Sequence, residues 1–165
     1  MTKINNFKKQ QEDDTTEMMR AAIEHRATWM ALTYLEAKES GCDAEKITRA
    51  AIRKTGNITG KKIKEAMENK NSLVDFRYAF LSSQVLKNFE MDIKELVDNT
   101  FNVEFNYCAL VNAWQKLDID DETIDLLCDM AMDGDRGIAE AIGVSFELGD
   151  TIAKGCATCK LHFKK

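Results

Sequence analysis

The chain contains no proline. Its reversals must rest on Gly, Asn and Asp instead. No apolar run approaches the roughly 20 residues that span a bilayer, so no membrane segment is expected. The first fourteen residues are polar, with Lys3, Lys8 and Lys9 but no apolar stretch of the signal-peptide kind. Residues 1–14 therefore read as a flexible lead-in, and the expected location is cytoplasmic. A basic excess is also missing. The formal net charge is -5, which argues against nucleic acid as the main partner, because phosphate binding needs a basic face. Histidine is scarce: His25 and His162 are the two present, and neither sits in a ligand spacing such as HExxH. The five cysteines are an odd number. Without an export signal they weigh against a disulfide framework and leave reduced thiols or metal ligands as the alternatives. There is no internal repeat. Gly56-Asn57-Ile58-Thr59-Gly60 lacks the phosphate-loop pattern and reads as a turn that caps the following helix.

What is present suits one globular domain, residues 15–165. The 165 residues are 44% apolar and 31% charged, enough to bury a core without covalent staples. Thr15 or Thr16 can cap a long first helix. Its apolar positions Met19, Ile23, Ala27, Met30, Tyr34 and Ala37 recur in steps of three and four, and Gly41 follows as a stop. Asp43 can cap a second helix ending near Gly56. A third is expected from about Thr59 to Asn69, and Ser72 begins a fourth, with Asp75 in the capping-box position.

From Val85 on, the period changes to two. Phe89, Met91 and Ile93 alternate with Glu90, Asp92 and Lys94, then Asp98-Asn99 supplies turn chemistry. Phe101, Val103, Phe105 and Tyr107 alternate in the same way, which predicts an antiparallel hairpin. A short helix over Ala109–Leu117 and a longer one from Asp120 or Asp121 to about Ala141 precede two short strands, Val144–Leu148 and Thr158–Phe163. The expected fold is α+β: N-terminal helices packed on a four-stranded antiparallel sheet, in the order αααα-ββ-αα-ββ.

Three groups of residues could carry chemistry. Asp125, Asp129 and Asp133 line one helix face at steps of four. Like charges at that spacing, with Gly134 and Gly137 beside them, disfavour a helix. The segment is then either a solvated acidic end or a carboxylate site. Arg136 can orient Asp133 or grip a substrate carboxylate. Second, Cys156-Ala157-Thr158-Cys159 is a CxxC with Cys108 and Cys128 as its available partners. The thiols are buried small hydrophobes, zinc ligands or, at Cys108, a nucleophile. Third, Trp29 and Trp114 read as core, and either can wall a small-molecule pocket.

Phe105-Asn106-Tyr107-Cys108-Ala109-Leu110-Val111 and Ala113-Trp114-Gln115-Lys116-Leu117 resemble the L-2-amino-thiazoline-4-carboxylic acid hydrolase family. So do Leu127-Cys128-Asp129, Met132-Asp133-Gly134-Asp135-Arg136-Gly137-Ile138-Ala139 and Thr151-Ile152-Ala153-Lys154-Gly155 with Cys159. The likeness extends to Glu24-His25-Arg26-Ala27 and covers roughly residues 24 to 164. Ala109 stands where the family often has proline. A fainter likeness reaches small-molecule-binding domains of the vinyl-reductase type, some of which hold zinc through three cysteines and a glutamate. Cys108 and Cys159 match two of those positions, whereas Thr151 and Leu148 replace the other two.

The family resemblance implies hydrolysis of a cyclic isothiourea that carries a carboxylate. Such a reaction needs a base for water, a partner for the ring cation and a grip on the carboxylate. The candidates are Asp129, Asp133 and Cys108 as catalytic residues, with Arg136, Asp135, Trp114 and Thr151 as substrate-binding residues. No cofactor is expected for this chemistry, while a structural or catalytic zinc on Cys108, Cys128, Cys156 and Cys159 is the alternative. The expected partner is a small-molecule substrate, with no nucleic acid, no membrane and a homo-oligomer left open. The competing reading is a non-catalytic small-molecule-binding or sensory module of the vinyl-reductase type.

Overall fold

The computed structural model describes residues 2–10 and 13–165. The α+β architecture is the expected one. Four helices, α1 Asp14–Glu39, α2 Ala44–Ala66, α3 Leu73–Phe80 and α4 Ser83–Asn88, precede the hairpin β1 Met91–Val97 and β2 Thr100–Phe105. Then come α5 Ala109–Gln115, α6 Asp121–Ala131 and α7 Asp133–Ile142, the strand β3 Ser145–Leu148, a short 3-10 turn Ile152–Lys154 and β4 Cys159–Lys164. Helices α6 and α7 are the expected long helix, jointed at Met132. No helix among the described residues is long and apolar enough to cross a membrane.

The sheet order is β1-β2-β4-β3, antiparallel throughout. Phe101 pairs with Phe163, Val103 with Leu161 and Phe105 with Cys159. The period of two then sends these side chains to one face, where Phe101, Val103, Leu161 and Phe163 are essentially inaccessible. Phe76 and Phe80 of α3 meet Phe163 edge-to-face, with ring centroids 5.2 and 6.0 Å away. A register shift between Ile93 and Glu95 turns Leu96, rather than Val97, toward the core.

Several local readings need correction. Asp13, not Thr15 or Thr16, caps α1, accepting a hydrogen bond from the Thr16 N–H at 2.8 Å. Trp29 is 66% exposed rather than core, because the packed face of α1 runs through Thr16, Arg20, Ala27, Ala31 and Tyr34. Its indole N–H meets His25 Nε2 one turn back at 3.0 Å. Val85 belongs to α4, whose cap is Ser82, so the strand begins later than the alternation suggests. Residues 2–10, expected to be a loose lead-in, lie against the domain. Ile4 and Asn6 are buried, and the Asn6 amide bonds both the N–H and the C=O of Cys108, at 2.9 and 2.8 Å.

The largest difference is at Gly56 and Gly60, where α2 continues without a turn. Two helix-weakening glycines are tolerated because the backbone of α7 passes directly over them. A Cβ on Gly56 would lie 2.1 Å from the Gly134 carbonyl oxygen. One on Gly60 would lie 2.7 Å from Ala141 Cβ, and one on Gly137 2.4 Å from the Arg53 carbonyl oxygen. The pair is clamped at its end by Lys64, whose ammonium donates to the last carbonyls of α7, Ala141 and Ile142, at 3.2 and 3.0 Å.

Candidate functional site

The close α2–α7 crossing separates two chemically different regions. On its outer side, acidic and basic residues neutralise one another. Arg49 bonds Asp129 at 2.8 Å and Asp133 at 2.9 Å, and Arg53 bonds Asp133 at 2.7 Å and Glu140 at 2.5 Å. Arg136 bonds Asp129 at 2.6 Å and lies 3.5 Å from Asp133. Burial raises the proton affinity of Asp129, but hydrogen bonds from Arg136 and Arg49 outweigh it and hold the carboxyl below its usual range. Asp133 is 3% exposed and bridged by two helices' worth of guanidinium. These side chains bind α2 to α6 and α7. The like-charge repulsion at steps of four is thus relieved by arginines from a distant segment, which the helix's own sequence does not reveal.

On the inner side lies a cavity of about 720 Å³. It is bordered by α1, α2, the end of α3, α4, the hairpin and the joint between α6 and α7, and is open to solvent along Arg26, Thr55 and Thr59. Its walls are mostly apolar, and Met19, Ile23, Ala27 and Met30 of the first helix's stripe face it. Of the residues singled out from sequence, Cys108, Cys128, Cys159, Asp135 and Thr151 line it together. Asp129, Asp133, Arg136, Trp114 and Cys156 do not. Trp114 is fully buried elsewhere, its indole N–H bonded to the Ala27 carbonyl at 2.9 Å to fasten α5 to α1. Arg136 is already engaged by Asp129, so its guanidinium is not a free grip.

Asp135 differs from the other acids of its helix. Among the described residues no other side chain hydrogen-bonds or ion-pairs with its carboxylate, which is reached by its own N–H and by the field of Arg136. It is half-buried and opens onto the cavity. Loss of hydration outweighs those two favourable effects and pushes its pKa from 3.8 to about 6. A carboxylate with raised basicity in an apolar cavity is the pattern expected of a catalytic acid or base.

The three cavity thiols have the opposite character. Burial pushes Cys108 up despite the N–H groups of Leu110 and Val111 at the start of α5. It also raises Cys128 well above its ordinary value, and Cys159 to about 12. All three are neutral near pH 7, so none is an activated nucleophile at rest. Cys159 also accepts a hydrogen bond from the Ile152 N–H at 3.2 Å. Among the described residues no group of three or more His, Cys, Asp or Glu is arranged to hold a metal ion. The four-cysteine zinc arrangement considered above is therefore not assembled here. Thr151 is 1% exposed, and its hydroxyl caps the 3-10 turn by accepting from the Lys154 N–H.

Sequence reasoning passed over one residue that the fold brings to this cavity. Arg26 of α1 is solvent-exposed at the rim of the cavity and, among the described residues, makes no hydrogen bond or ion pair. The signal available was indirect. Arg26 sits one residue before Ala27 of the apolar stripe, a position that puts its guanidinium at the stripe's edge.

The family model described as L-2-amino-thiazoline-4-carboxylic acid hydrolase matches residues 20–163. No curated protein and no solved structure matches the chain.

Proposed function

The chain belongs to the L-2-amino-thiazoline-4-carboxylic acid hydrolase family, and from that premise we propose that it hydrolyses a cyclic isothiourea or amidine carboxylate in the inner cavity, with Asp135 as the base. The observation that carries this is the unpartnered carboxylate of Asp135, half-buried at the wall of a mostly apolar cavity with its pKa raised to about 6. Its carboxyl is a stronger base than an ordinary carboxylate and is still mostly ionised at pH 7.

The steps follow from the chemistry of the ring. A protonated ring cation pairs with Asp135, because an isolated carboxylate in a poorly solvating site gains most from an opposite charge. Water adds to the carbon between sulfur and nitrogen, giving up one proton to Asp135 as the new C–O bond forms. The tetrahedral carbon then expels ring sulfur or ring nitrogen, and the leaving atom takes that proton back. No oxidant or second substrate is needed. Arg26 supplies the counter-charge for the carboxylate of the ring acid. The neutral thiols of Cys108, Cys128 and Cys159 form a weakly polar wall beside Asp135. This reading moves the base from Asp129 and Asp133 to Asp135 and the carboxylate grip from Arg136 to Arg26.

Two variants separate the inner site from the outer network. Arg26→Ala should raise KM for the thiazoline acid about 10- to 100-fold, the worth of one charge-assisted hydrogen bond, and change kcat only a few-fold. Steady-state kinetics over a range of substrate concentration will show it. An unchanged KM removes Arg26 from the binding role. Asp133→Asn should behave differently. It leaves three arginines without their common acid and costs about 2–3 kcal/mol of stability. That is less than for a fully buried pair, because the arginines are partly solvated. Turnover per folded molecule should persist. If denaturant titration shows no loss while ring opening disappears, the acid of the outer network is the catalyst after all.

A non-catalytic binding module would fill the same cavity without turnover. The decisive measurement is product formation from the thiazoline acid by the purified chain, with Asp135→Asn as its control.

A further inference from the structure

The cavity is larger and more apolar than the simple ring acid requires. That molecule has about nine non-hydrogen atoms; allowing each the roughly 30 Å³ of a liquid water, it takes up about 270 Å³. Less than half of the 720 Å³ is then used. The remainder, about 450 Å³ by the same allowance, has room for about fifteen more carbon-sized atoms. Its walls include Ile63, Phe80, Leu81, Val85 and Phe89, which offer water few partners. Four of the chain's eight methionines, Met19, Met30, Met91 and Met132, also face it. Unbranched thioethers suit a wall that must adapt to varied apolar shapes. The charged groups are few and of opposite sign: Arg26 on α1 and Asp135 on α7.

We propose that the site is built for an amphiphilic acid, a ring carboxylate bearing a long hydrocarbon or aryl substituent, with its carboxylate on Arg26 and its apolar body in the methionine-lined remainder. The placement of the carboxylate rests on the hydrolase reading above. The requirement for an apolar body rests on the cavity alone.

The test uses the full chain and straight-chain carboxylates from butanoate to dodecanoate, titrated calorimetrically. Each added methylene should tighten binding about 4-fold until the cavity is full. Ala79→Phe and Ala131→Phe each add a ring to the cavity wall. Either variant, once shown to be folded by its thermal transition, should move the plateau to shorter chains. Arg26→Ala should weaken every member by a similar factor. A Kd independent of chain length overturns the proposal, as does a plateau that neither filling variant moves, which would place binding on the surface. Chain-length dependence with no turnover of any ring acid supports the amphiphile and discards only the hydrolase chemistry. Conversely, rapid turnover of the plain ring acid, with no gain from an alkyl substituent, keeps the hydrolase and rejects the amphiphile.

Discussion

Asp135→Asn should abolish ring opening and make the protein more stable at the same time. The carboxyl binds its proton more tightly in the folded chain than in the unfolded one, with a pKa of about 6 against 3.8. Between these values the folded state retains a proton that the unfolded state has lost. The favourable contribution of this group is therefore complete below pH 3.8 and is lost as pH rises through about 6. At neutral pH, the ionised form burdens the fold by about 3 kcal/mol, at 1.36 kcal/mol per unit. An amide of the same shape carries no such burden. Thermal unfolding of Asp135→Asn should rise by roughly 5–10 °C at pH 7 for a domain of this size, with little difference from the parent at pH 4. Over the same range, kcat/KM of the parent should climb through about pH 6 as Asp135 ionises. A merely structural acid would show the opposite pairing, with activity kept and stability reduced. That result would dismiss Asp135 as the base.

The second large effect concerns the backbone crossing of α2 and α7. In an exposed helix, Gly→Ala gains about 1 kcal/mol. Gly56→Ala should lose about 3 kcal/mol or more, because its Cβ would stand 2.1 Å from the Gly134 carbonyl oxygen. Backbone cannot swing aside as a flexible side chain can. The helices must part, which stretches the arginine–aspartate network and loosens the packing around Ile138. Gly134→Ala is the internal control. Its Cβ would meet Ile52 Cγ2 at 3.6 Å, an ordinary contact, so the helical preference should leave it neutral or stabilised. Denaturant midpoints of the two variants settle the matter: equal values would mean that the crossing carries no special strain.

Periodicity sufficed where burial is one-sided. The hairpin of β1 and β2, the turn at Asp98-Asn99 and the fourth strand follow from alternation, since a period of two can face a core in only one register. Caps were legible where an acid or hydroxyl precedes a helix, as at Asp43 and Ser72. Gly56 and Gly60 misled for a physical reason. A glycine marks a helix end when its backbone freedom is used, and marks a helix crossing when its missing side chain is used. Residues nearby in sequence do not distinguish these uses.

The chemistry divides in the same way. Composition, period and family likeness determined an α+β domain with one antiparallel sheet, an aspartate-rich helix after β2 and thiols at the strand ends. Tertiary structure decided which of those aspartates is available. Asp129 and Asp133 meet arginines about eighty residues away in sequence, while Asp135, on the other side of the same helix start, meets none and opens onto the cavity. A carboxylate's basicity depends on what stands within a few ångströms in three dimensions, whether water, a cation or a hydrocarbon wall. Linear spacing places an acid on a helix face, but it does not say what that face will touch.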